Sequence, residues 1–516
     1  MRWFRLLLLC ALALASTACK DKLFNDFIGG GSSSSGEAAR GTLLQNPPQS
    51  RGVFTAGALL QQLGLDVNKQ LLELAANPVC DIAIYHLQYH TVGGQDEATT
   101  ASGALMVPTG GNSTCSGARP ILLYAHGTST DQAFDISNVM NDSNAEGIIL
   151  AAFFASQGYI VVAPNYAGYD TSTLSYHPYL IADQQSKDMI DALTAARSAL
   201  PAVATGSSDD GRLFLTGYSQ GGYVAMATQR AMQDAGMTVT ASAPLSGPYT
   251  LAAFVDAVFE GQVNADAPIS WTLLATGYQQ AYGDIYSQAT DVFESQYANG
   301  IDTLLPGTLA RSDLYAQGKL PQNALFNSTP PDPAFANITP ATQPANLAQV
   351  FALGFGSNNL VTNSYRLTYL NDARANPDGS FPTTTSGIPA AAPQLSMRAR
   401  LKQNDLRTEW TPTAPTLLCA GDSDPVVFFM NTEFMQGFWA TRAPASLSVV
   451  DIDSGSIGDP YDDLRSKFDI AKEVVAAAAV AGGAKDGGEA AVLAAYHTTL
   501  VAPFCLAVAA RFFAAQ

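Results

Sequence analysis

Short apolar segments recur along the chain, and turn-forming or polar residues separate them. The segments RPILLYAHGT (119–128) and GYIVVAPNYAGYD (158–170) are almost continuously apolar, which is typical of strands buried on both faces of a parallel sheet. Residues 80–92 and 99–109 show partial alternation and also predict strands. Four more strands are predicted at 211–219, 237–249, 415–427 and 445–454.

Helical spacing of apolar residues occurs between these strands, most clearly at 183–200, and also ahead of them at 55–75. Strands that alternate with helices predict an α/β fold. In such a fold, helices cover both faces of a mostly parallel central sheet.

The region 251–398 interrupts the alternation of predicted strands and helices. It contains aromatic-rich helical stretches such as 269–288, followed by a Pro- and Ala-rich passage at 327–347. We interpret 251–398 as a helical cap or lid, because the strand pattern resumes after it. The core then consists of two parts, 53–250 and 399–516. A separate domain is the alternative.

The N-terminus has the pattern of an export signal. Arg2 and Arg5 precede an apolar run at 6–15 that is too short to span a bilayer, and small residues follow it. We therefore expect residues 1–18 to be a signal peptide. Cys19 directly after them resembles the lipidated cysteine of bacterial lipoproteins, although Ser16 stands where such signals usually carry Leu.

The Gly/Ser-rich stretch that follows suits a flexible tether, predicted over 19–52. We expect an exported protein, anchored in the bacterial envelope through Cys19 or otherwise secreted or periplasmic. Membrane contact is expected only through this lipid anchor.

Composition narrows the function classes. The 516-residue chain is 47% apolar and carries a net charge of −18, so it can bury a large core and repels nucleic-acid phosphates. Four cysteines remain after Cys19. An even number in an exported protein indicates disulfides, and we favour the pairs Cys80–Cys115 and Cys419–Cys505 over buried free thiols.

A serine between two glycines marks a candidate nucleophile. Gly217-Tyr218-Ser219-Gln220-Gly221 lies where a predicted strand meets a predicted helix. A tight turn at that corner presents the serine hydroxyl and needs neighbours without side chains. A single match of this kind arises easily by chance, so the remainder of the chain must support it.

The other catalytic candidates follow from order along the chain. Serine hydrolases with this turn place the acid and then the base after the serine, and His497 is the one histidine beyond Ser219. Asp422 and Asp424 both follow the strand PTLLCAG, and we choose Asp424 because its Asp-Pro-Val-Val segment looks like an acid turn.

The oxyanion donors are predicted to be two backbone N–H groups. One belongs to Gln220, directly after the nucleophile, and the other to Thr128, in the glycine turn after an early strand. We expect His126 in that turn to pack and hydrogen-bond rather than to titrate in catalysis.

These segments together resemble the α/β-hydrolase superfamily, and within it the secretory-lipase-like esterases of bacteria and fungi. The resemblance rests on LTGYSQGG, PILLYAHGT, SAPLSGPY, LKQNDLRTEWTPTAPTLLCAGDSDPVV and His497, and it covers about residues 80–250 and 399–516. It implies hydrolysis of a small-molecule or lipid carboxylic ester through a Ser-His-Asp triad. No cofactor is expected, and no Cys/His spacing predicts a metal site.

Aromatic residues of the predicted cap, including Trp271, Tyr278 and Tyr282, suit an apolar acyl or aryl group, or else form the core of the cap itself. The stretch of about forty residues between Ser454 and His497 is longer than the family usually has, which leaves the path to His497 open. The alternative functions are a serine peptidase of the same fold and a non-catalytic binding protein on a hydrolase scaffold.

Overall fold

The computed structural model describes residues 39–65, 73–139, 145–204, 206–442, 444, 446–455 and 458–516. Within these ranges the strands are β1 (Gln49–Phe54), β2 (Asp81–Val92), β3 (Ala98–Thr109), β4 (Gly117–Ala125), β5 (Ile160–Pro164), β6 (Ser207–Tyr218), β7 (Ala241–Leu245), β8 (Thr416–Ala420) and β9 (Leu447–Asp451). They form one sheet in the order β1-β2-β3-β5-β4-β6-β7-β8-β9.

The sheet is mostly parallel. β1, β2, β3 and β5 pair antiparallel to one another, whereas every pair from β5 through β4, β6, β7 and β8 to β9 is parallel. The carboxyl ends of β4, β6, β7 and β8 therefore meet at one edge, where open α/β sheets bind their ligands. The fold is the predicted α/β-hydrolase fold.

Helices lie on both faces of the sheet and in the insertion after β7. They are α1 (Ala56–Leu63), α2 (Ala145–Phe153), α3 (Ala182–Val203), α4 (Gln220–Asp234), α5 (Leu251–Phe259), α6 (Ala267–Tyr282), α7 (Ser295–Ala298), α8 (Arg311–Ala316), α9 (Ala348–Leu353), α10 (Asn363–Ala375), α11 (Ser396–Asn404), α12 (Met430–Ala440), α13 (Asp462–Ala481), α14 (Glu489–Ala495) and α15 (Ala502–Ala514).

The central strand β4 explains why its sequence is almost continuously apolar. Ile121 and Leu123 pack into the core shared with α3 and α4, whereas Leu122 and Tyr124 pack into the core shared with α2 and α15. Successive side chains point to opposite faces, and both faces are covered by helices. The two apolar cores flank the sheet and make it a rigid support for its carboxyl edge.

The region between β7 and β8 is built from the helices α5 to α11 with short 3₁₀ turns, and its described residues contain no strand of the sheet. It contacts the loop that follows β4, since the Gly307 N–H donates to the Thr130 carbonyl and the Gln132 N–H donates to the Gly307 carbonyl. α11 crosses the predicted boundary at residue 398. A function of this region as a lid stays a prediction.

Both predicted disulfides are present, Cys80–Cys115 and Cys419–Cys505. The predicted tether over 19–52, in contrast, has a C-terminal bound that lies too far along the chain. Residues 1–38 lie outside the described part of the chain, but residues 39–52 belong to the fold, because β1 pairs with β2 and residue 43 bridges to Tyr89. β1 has mostly exposed side chains, so its backbone pairing leaves no apolar pattern in the sequence.

The C-terminal segment Glu489–Ala514 is long and apolar enough to cross a membrane, which corrects the expectation that no stretch after the N-terminal signal has this length and composition. In the fold, 61% of the apolar stretch is buried. Phe504, Leu506 and Val508 pack in the core beside α2 and the sheet. This segment therefore has the surroundings of a core helix.

Candidate active site

Ser219 occupies a strained turn between β6 and α4. Its backbone angles are φ 60° and ψ −122°, in a region that residues with side chains rarely adopt. A Cβ atom on Gly217 would lie 2.5 Å from the Ala125 carbonyl oxygen, and one on Gly221 would lie 1.9 Å from the same atom. Both glycines are therefore required for β6 and α4 to pass against β4.

The structure brings the three predicted catalytic side chains together. His497 Nε2 lies 2.9 Å from Ser219 Oγ, and His497 Nδ1 lies 2.6 Å from Asp424 Oδ2. Asp424 is fully buried and His497 is almost fully buried. This is the geometry in which a histidine can take a proton from a serine while a carboxylate orients the ring.

The Asp424 carboxylate is held by groups in addition to His497. Oδ1 accepts the backbone N–H groups of Val426 and Val427 at 2.9 and 3.0 Å, and Oδ2 accepts the Ser246 hydroxyl at 2.9 Å. Asp422 is exposed and accepts instead the Ser423 hydroxyl at 2.8 Å. The geometry thus favours Asp424 over Asp422 as the partner of His497.

His497 lies within a long helical run. Residues Tyr496–Val501 form a π-helical turn between α14 and α15, and π-turns occur frequently at functional sites. The Tyr218 hydroxyl lies 2.5 Å from the His497 carbonyl oxygen and 3.2 Å from Nδ1. Much of the long stretch before His497 folds as α13 and α14, which bring the chain back to the sheet edge.

The two residues proposed to bind the oxyanion, Gln220 and Thr128, line the same cavity as Ser219. Gln220 is the first residue of α4, where backbone N–H groups have no partner within the helix. The Thr128 N–H has no acceptor among the described residues, and its hydroxyl contacts the Tyr179 hydroxyl at 2.9 Å.

His126 orients the peptide that contains the Thr128 N–H. Its Nδ1 lies 2.6 Å from the Gly127 carbonyl oxygen, which points away from the Thr128 N–H in the same planar peptide, and its Nε2 lies 3.0 Å from the Asn165 carbonyl oxygen. A neutral ring donates to one of these carbonyls, and the shorter contact favours the proton on Nδ1. Burial lowers the pKa of His126 to about 4, so the ring is neutral near pH 7. This agrees with the expectation that His126 packs and hydrogen-bonds.

The structure adds His177, which sequence analysis did not assign. The Gln220 side-chain amide Nε2 donates to His177 Nε2 at 2.7 Å, and His177 Nδ1 lies 3.0 Å from the Ala167 carbonyl. These contacts place the ring proton on Nδ1. Burial lowers the pKa of His177 to about 3. No local pattern links His177 to Gln220, because helix α3 and strand β6 separate them in the chain.

A cavity of about 270 Å³ opens above Ser219 and His497. Much of its wall is apolar and comes from the insertion, through Leu251, Phe254, Val255, Val258, Ile269, Trp271, Leu274 and Leu325. Charged groups also line it, namely Glu146, Asp266 and Arg311. Of the three predicted cap aromatics, Trp271 faces the cavity, whereas Tyr278 and Tyr282 pack against each other within the fold.

Known structures share this architecture. The cell wall degrading esterase LipA from Xanthomonas oryzae is 26% identical, with a TM-score of 0.62 over 85% of this chain and 96% of that one. The chain is a member of the α/β-hydrolase superfamily. A putative hydrolase from Legionella pneumophila has the same fold as this α/β-hydrolase. It is 19% identical, with a TM-score of 0.60 over 90% of this chain and 96% of that one.

Sequence comparison agrees at the level of the superfamily. The prolyl oligopeptidase family model matches residues 149–281 of this α/β-hydrolase, a span that contains Ser219 and part of the insertion. No curated protein matches the chain significantly. Together with the LipA structure, this match indicates a serine hydrolase. The assignment to the secretory-lipase-like branch stays a prediction.

Proposed function

We propose that this α/β-hydrolase cleaves carboxylic esters through a covalent acyl-enzyme. The observation that carries the proposal is the contact of 2.9 Å between Ser219 Oγ and His497 Nε2, which lies at the floor of a largely apolar cavity. An apolar wall with a few polar groups near the nucleophile suits an ester with an apolar acyl or aryl part. The similarity to the LipA esterase supports the same chemistry.

In the proposed reaction, Ser219 Oγ attacks the ester carbonyl and His497 Nε2 accepts the hydroxyl proton. Asp424 accepts the hydrogen bond from Nδ1–H and stabilises the imidazolium that forms. The Gln220 and Thr128 N–H groups bind the oxyanion, and each such donor contributes about 3 kcal/mol to lowering the barrier. His497 then returns the proton to the departing alcohol.

Water completes the cycle in the proposed mechanism. His497 takes a proton from a water molecule that attacks the acyl-Ser219 ester, and it returns this proton to Ser219 Oγ as the acyl–oxygen bond breaks and the acid product leaves. In this scheme the insertion acts as a cap, because its helices supply the apolar wall against which the acyl group rests. The chemistry uses side chains, backbone N–H groups and water.

A peptidase of the same fold is the second candidate, and the prolyl oligopeptidase family match favours it. A peptidase that removes residues from a chain end must hold the charged terminus of its substrate. Asp266 and Arg311 line the cavity, but their side chains lie 2.7 Å apart and neutralise each other. Glu146 is the remaining charged group there and contacts the backbone. These contacts favour the esterase over a peptidase that acts at chain ends.

Two measurements test the proposal. Purified protein should hydrolyse p-nitrophenyl acyl esters of several chain lengths far faster than aminoacyl p-nitroanilides, and a fluorophosphonate probe should label it. Ser219→Ala should lose hydrolysis and labelling and keep its circular dichroism spectrum. Preference for the anilides would favour the peptidase, and a folded protein that neither labels nor hydrolyses would favour a binding function.

The two disulfides and the similarity to LipA indicate an extracellular or exported protein. We further propose that the N-terminal signal is cleaved before Cys19 and that Cys19 carries a lipid anchor. Cys19→Ala should then move the protein from the membrane fraction to the soluble envelope fraction. An unchanged distribution, or a mature N-terminus at another residue, would support simple secretion.

A further inference from the structure

Glu146 is a charged residue of the cavity that the proposed mechanism does not use. It lies in the first turn of α2, and its half-buried side chain lines the cavity together with Ser219 and His497. Both carboxyl oxygens accept the Gly127 backbone N–H, at 3.1 and 3.2 Å. The Tyr124 hydroxyl donates to Oε2 at 2.5 Å.

These contacts connect Glu146 to the backbone that carries the oxyanion donor. Gly127 lies directly before Thr128, and the loop follows the end of β4. A Cβ atom on Gly127 would lie 3.1 Å from Glu146 Oε1 and 3.8 Å from Ser219 Cβ. The carboxyl group therefore packs closely against this glycine at the edge of the reaction site.

The loop is held from two directions. Glu146 accepts the N–H of the peptide that joins His126 to Gly127, and the His126 ring contacts the carbonyl of the next peptide at 2.6 Å. Because a peptide unit is planar, fixing that carbonyl also fixes the direction of the Thr128 N–H on its other side. The Tyr166 hydroxyl donates to the His126 carbonyl of the first peptide at 3.0 Å, so without Glu146 this peptide keeps a partner for its carbonyl and loses the acceptor of its N–H.

Tyr124 completes the arrangement from within the sheet. It lies in β4, is fully buried, and fixes the Glu146 carboxyl by its hydroxyl. Burial raises the pKa of Glu146, and the hydrogen bonds from Tyr124 and Gly127 oppose that effect by favouring the carboxylate.

We propose that Glu146 is a positioning residue, which holds the Gly127 N–H so that the neighbouring Thr128 N–H faces the oxyanion. This inference rests on the proposed function of Ser219 and Thr128. It assigns Glu146 no contact with substrate. Its effect should therefore appear in the rate of the chemical step and much less in the KM.

The test compares three substitutions at Glu146 with a control on the same helix. Glu146→Ala and Glu146→Met remove the acceptor oxygens, and the Met side chain also fills the space. Glu146→Gln keeps one acceptor oxygen, and the Tyr124 hydroxyl can accept as well as donate. Leu150→Ala weakens the packing of α2 in the core, where Leu150 is fully buried and contributes nothing to the cavity wall.

Two rates are measured, the second-order rate of phosphonylation by a fluorophosphonate and the kcat for a p-nitrophenyl ester. Both should fall about 10- to 100-fold in Glu146→Ala and Glu146→Met, somewhat less than the loss from removing an oxyanion donor outright. Glu146→Gln should stay within about threefold of wild type. Leu150→Ala should melt at a lower temperature and keep both rates within about threefold.

Three results would overturn the inference. They are unchanged rates in folded Glu146→Ala or Glu146→Met, a loss in Glu146→Gln as large as in Glu146→Ala, and an equal loss in Leu150→Ala. Phosphonylation does not depend on the natural substrate. A wild-type protein that is labelled but hydrolyses no ester therefore refutes the ester assignment alone, while the labelling rates of the variants still decide the role of Glu146.

Discussion

The two halves of the candidate site are built differently. At the nucleophile turn, Ser219 is held by backbone packing, because β4, β6 and α4 leave no room for a side chain at Gly217 or Gly221. At the acid–base side, which consists of the Asp424 loop and the His497 turn, side-chain hydrogen bonds hold the groups. One added methyl group at either glycine should therefore disrupt the whole turn, whereas removing one hydrogen bond on the acid–base side should remove only that contact.

The nucleophile turn is therefore recognisable from a local motif, whereas Asp424 and His497 were predicted chiefly from their order along the chain. Glycines are required at fixed offsets from the serine, and this leaves a local motif. Ser246 and Tyr218 contact Asp424 and His497 across large separations in the chain. No local sequence pattern predicts these contacts.

The largest effect is expected from the acid itself. Asp424→Asn can hold the wrong tautomer of His497 and should lower kcat by about 10⁴-fold, as in other serine hydrolase triads. Asp422→Asn is the matched control in the same loop and should stay within about threefold, because its side chain is exposed. Steady-state kinetics on a p-nitrophenyl ester compare the two. A larger loss in Asp422→Asn would transfer the role of the acid to Asp422.

A single methyl group added at Gly221 should disrupt the nucleophile turn. Gly221→Ala places a Cβ atom 1.9 Å from the Ala125 carbonyl oxygen, so we expect a loss of about 3 kcal/mol or more in unfolding free energy, together with loss of activity.

Gly437→Ala is the control for this substitution. Gly437 lies in α12 with open space around it, and alanine there should raise stability by about 0.5–1 kcal/mol. Urea unfolding measures both variants. Equal stabilities would show that β4 and α4 can move apart.

His177 should make stability depend on pH through the Gln220 side of the nucleophile turn. Its pKa is lowered to about 3 by burial, so below the ordinary value of about 6.5 the unfolded chain takes up a proton that the folded chain does not. Stability is thus fully present at neutral pH and falls as the pH decreases.

His177→Gln can keep both hydrogen bonds and cannot titrate. Between pH 6.5 and 5 the wild type should lose about 1.6 kcal/mol more stability than His177→Gln. Urea unfolding at the two pH values gives this difference. Parallel losses in the two proteins would mean that His177 titrates normally in the fold.

The smallest effect is expected from one hydrogen bond of the acid–base side. Tyr218→Phe removes the hydroxyl that contacts the His497 carbonyl, a contact of about 1–1.5 kcal/mol, and should lower kcat about tenfold with little change in KM. The decrease should be gradual, as expected for a network. A loss as large as that of Asp424→Asn would instead give Tyr218 a direct part in the reaction.

The sequence allowed much of the fold to be predicted, because both-face burial of strands such as β4 leaves long apolar runs and the chain order of Ser219, Asp424 and His497 leaves few choices. Both disulfide pairs were also predicted. The exposed strand β1 was missed because its pairing uses only the backbone. The π-turn at His497, the contact of His177 with Gln220 and the role of Glu146 depend on tertiary packing. The catalytic roles themselves stay predictions until the substitutions are made.

The Cys419–Cys505 bond has a consequence for chain continuity. It joins β8, shortly before Asp424, to α15, shortly after His497, and closes a loop of sequence separation 86. Between them, α13 and α14 meet in an exposed glycine-rich turn near Gly482 and Gly487. A protease that cuts this turn separates the acid and the base onto two fragments, yet the bond keeps them linked. The turn between α13 and α14 is therefore a site where a protease can cut the chain, or a tag can be inserted, while the disulfide keeps the acid and the base linked.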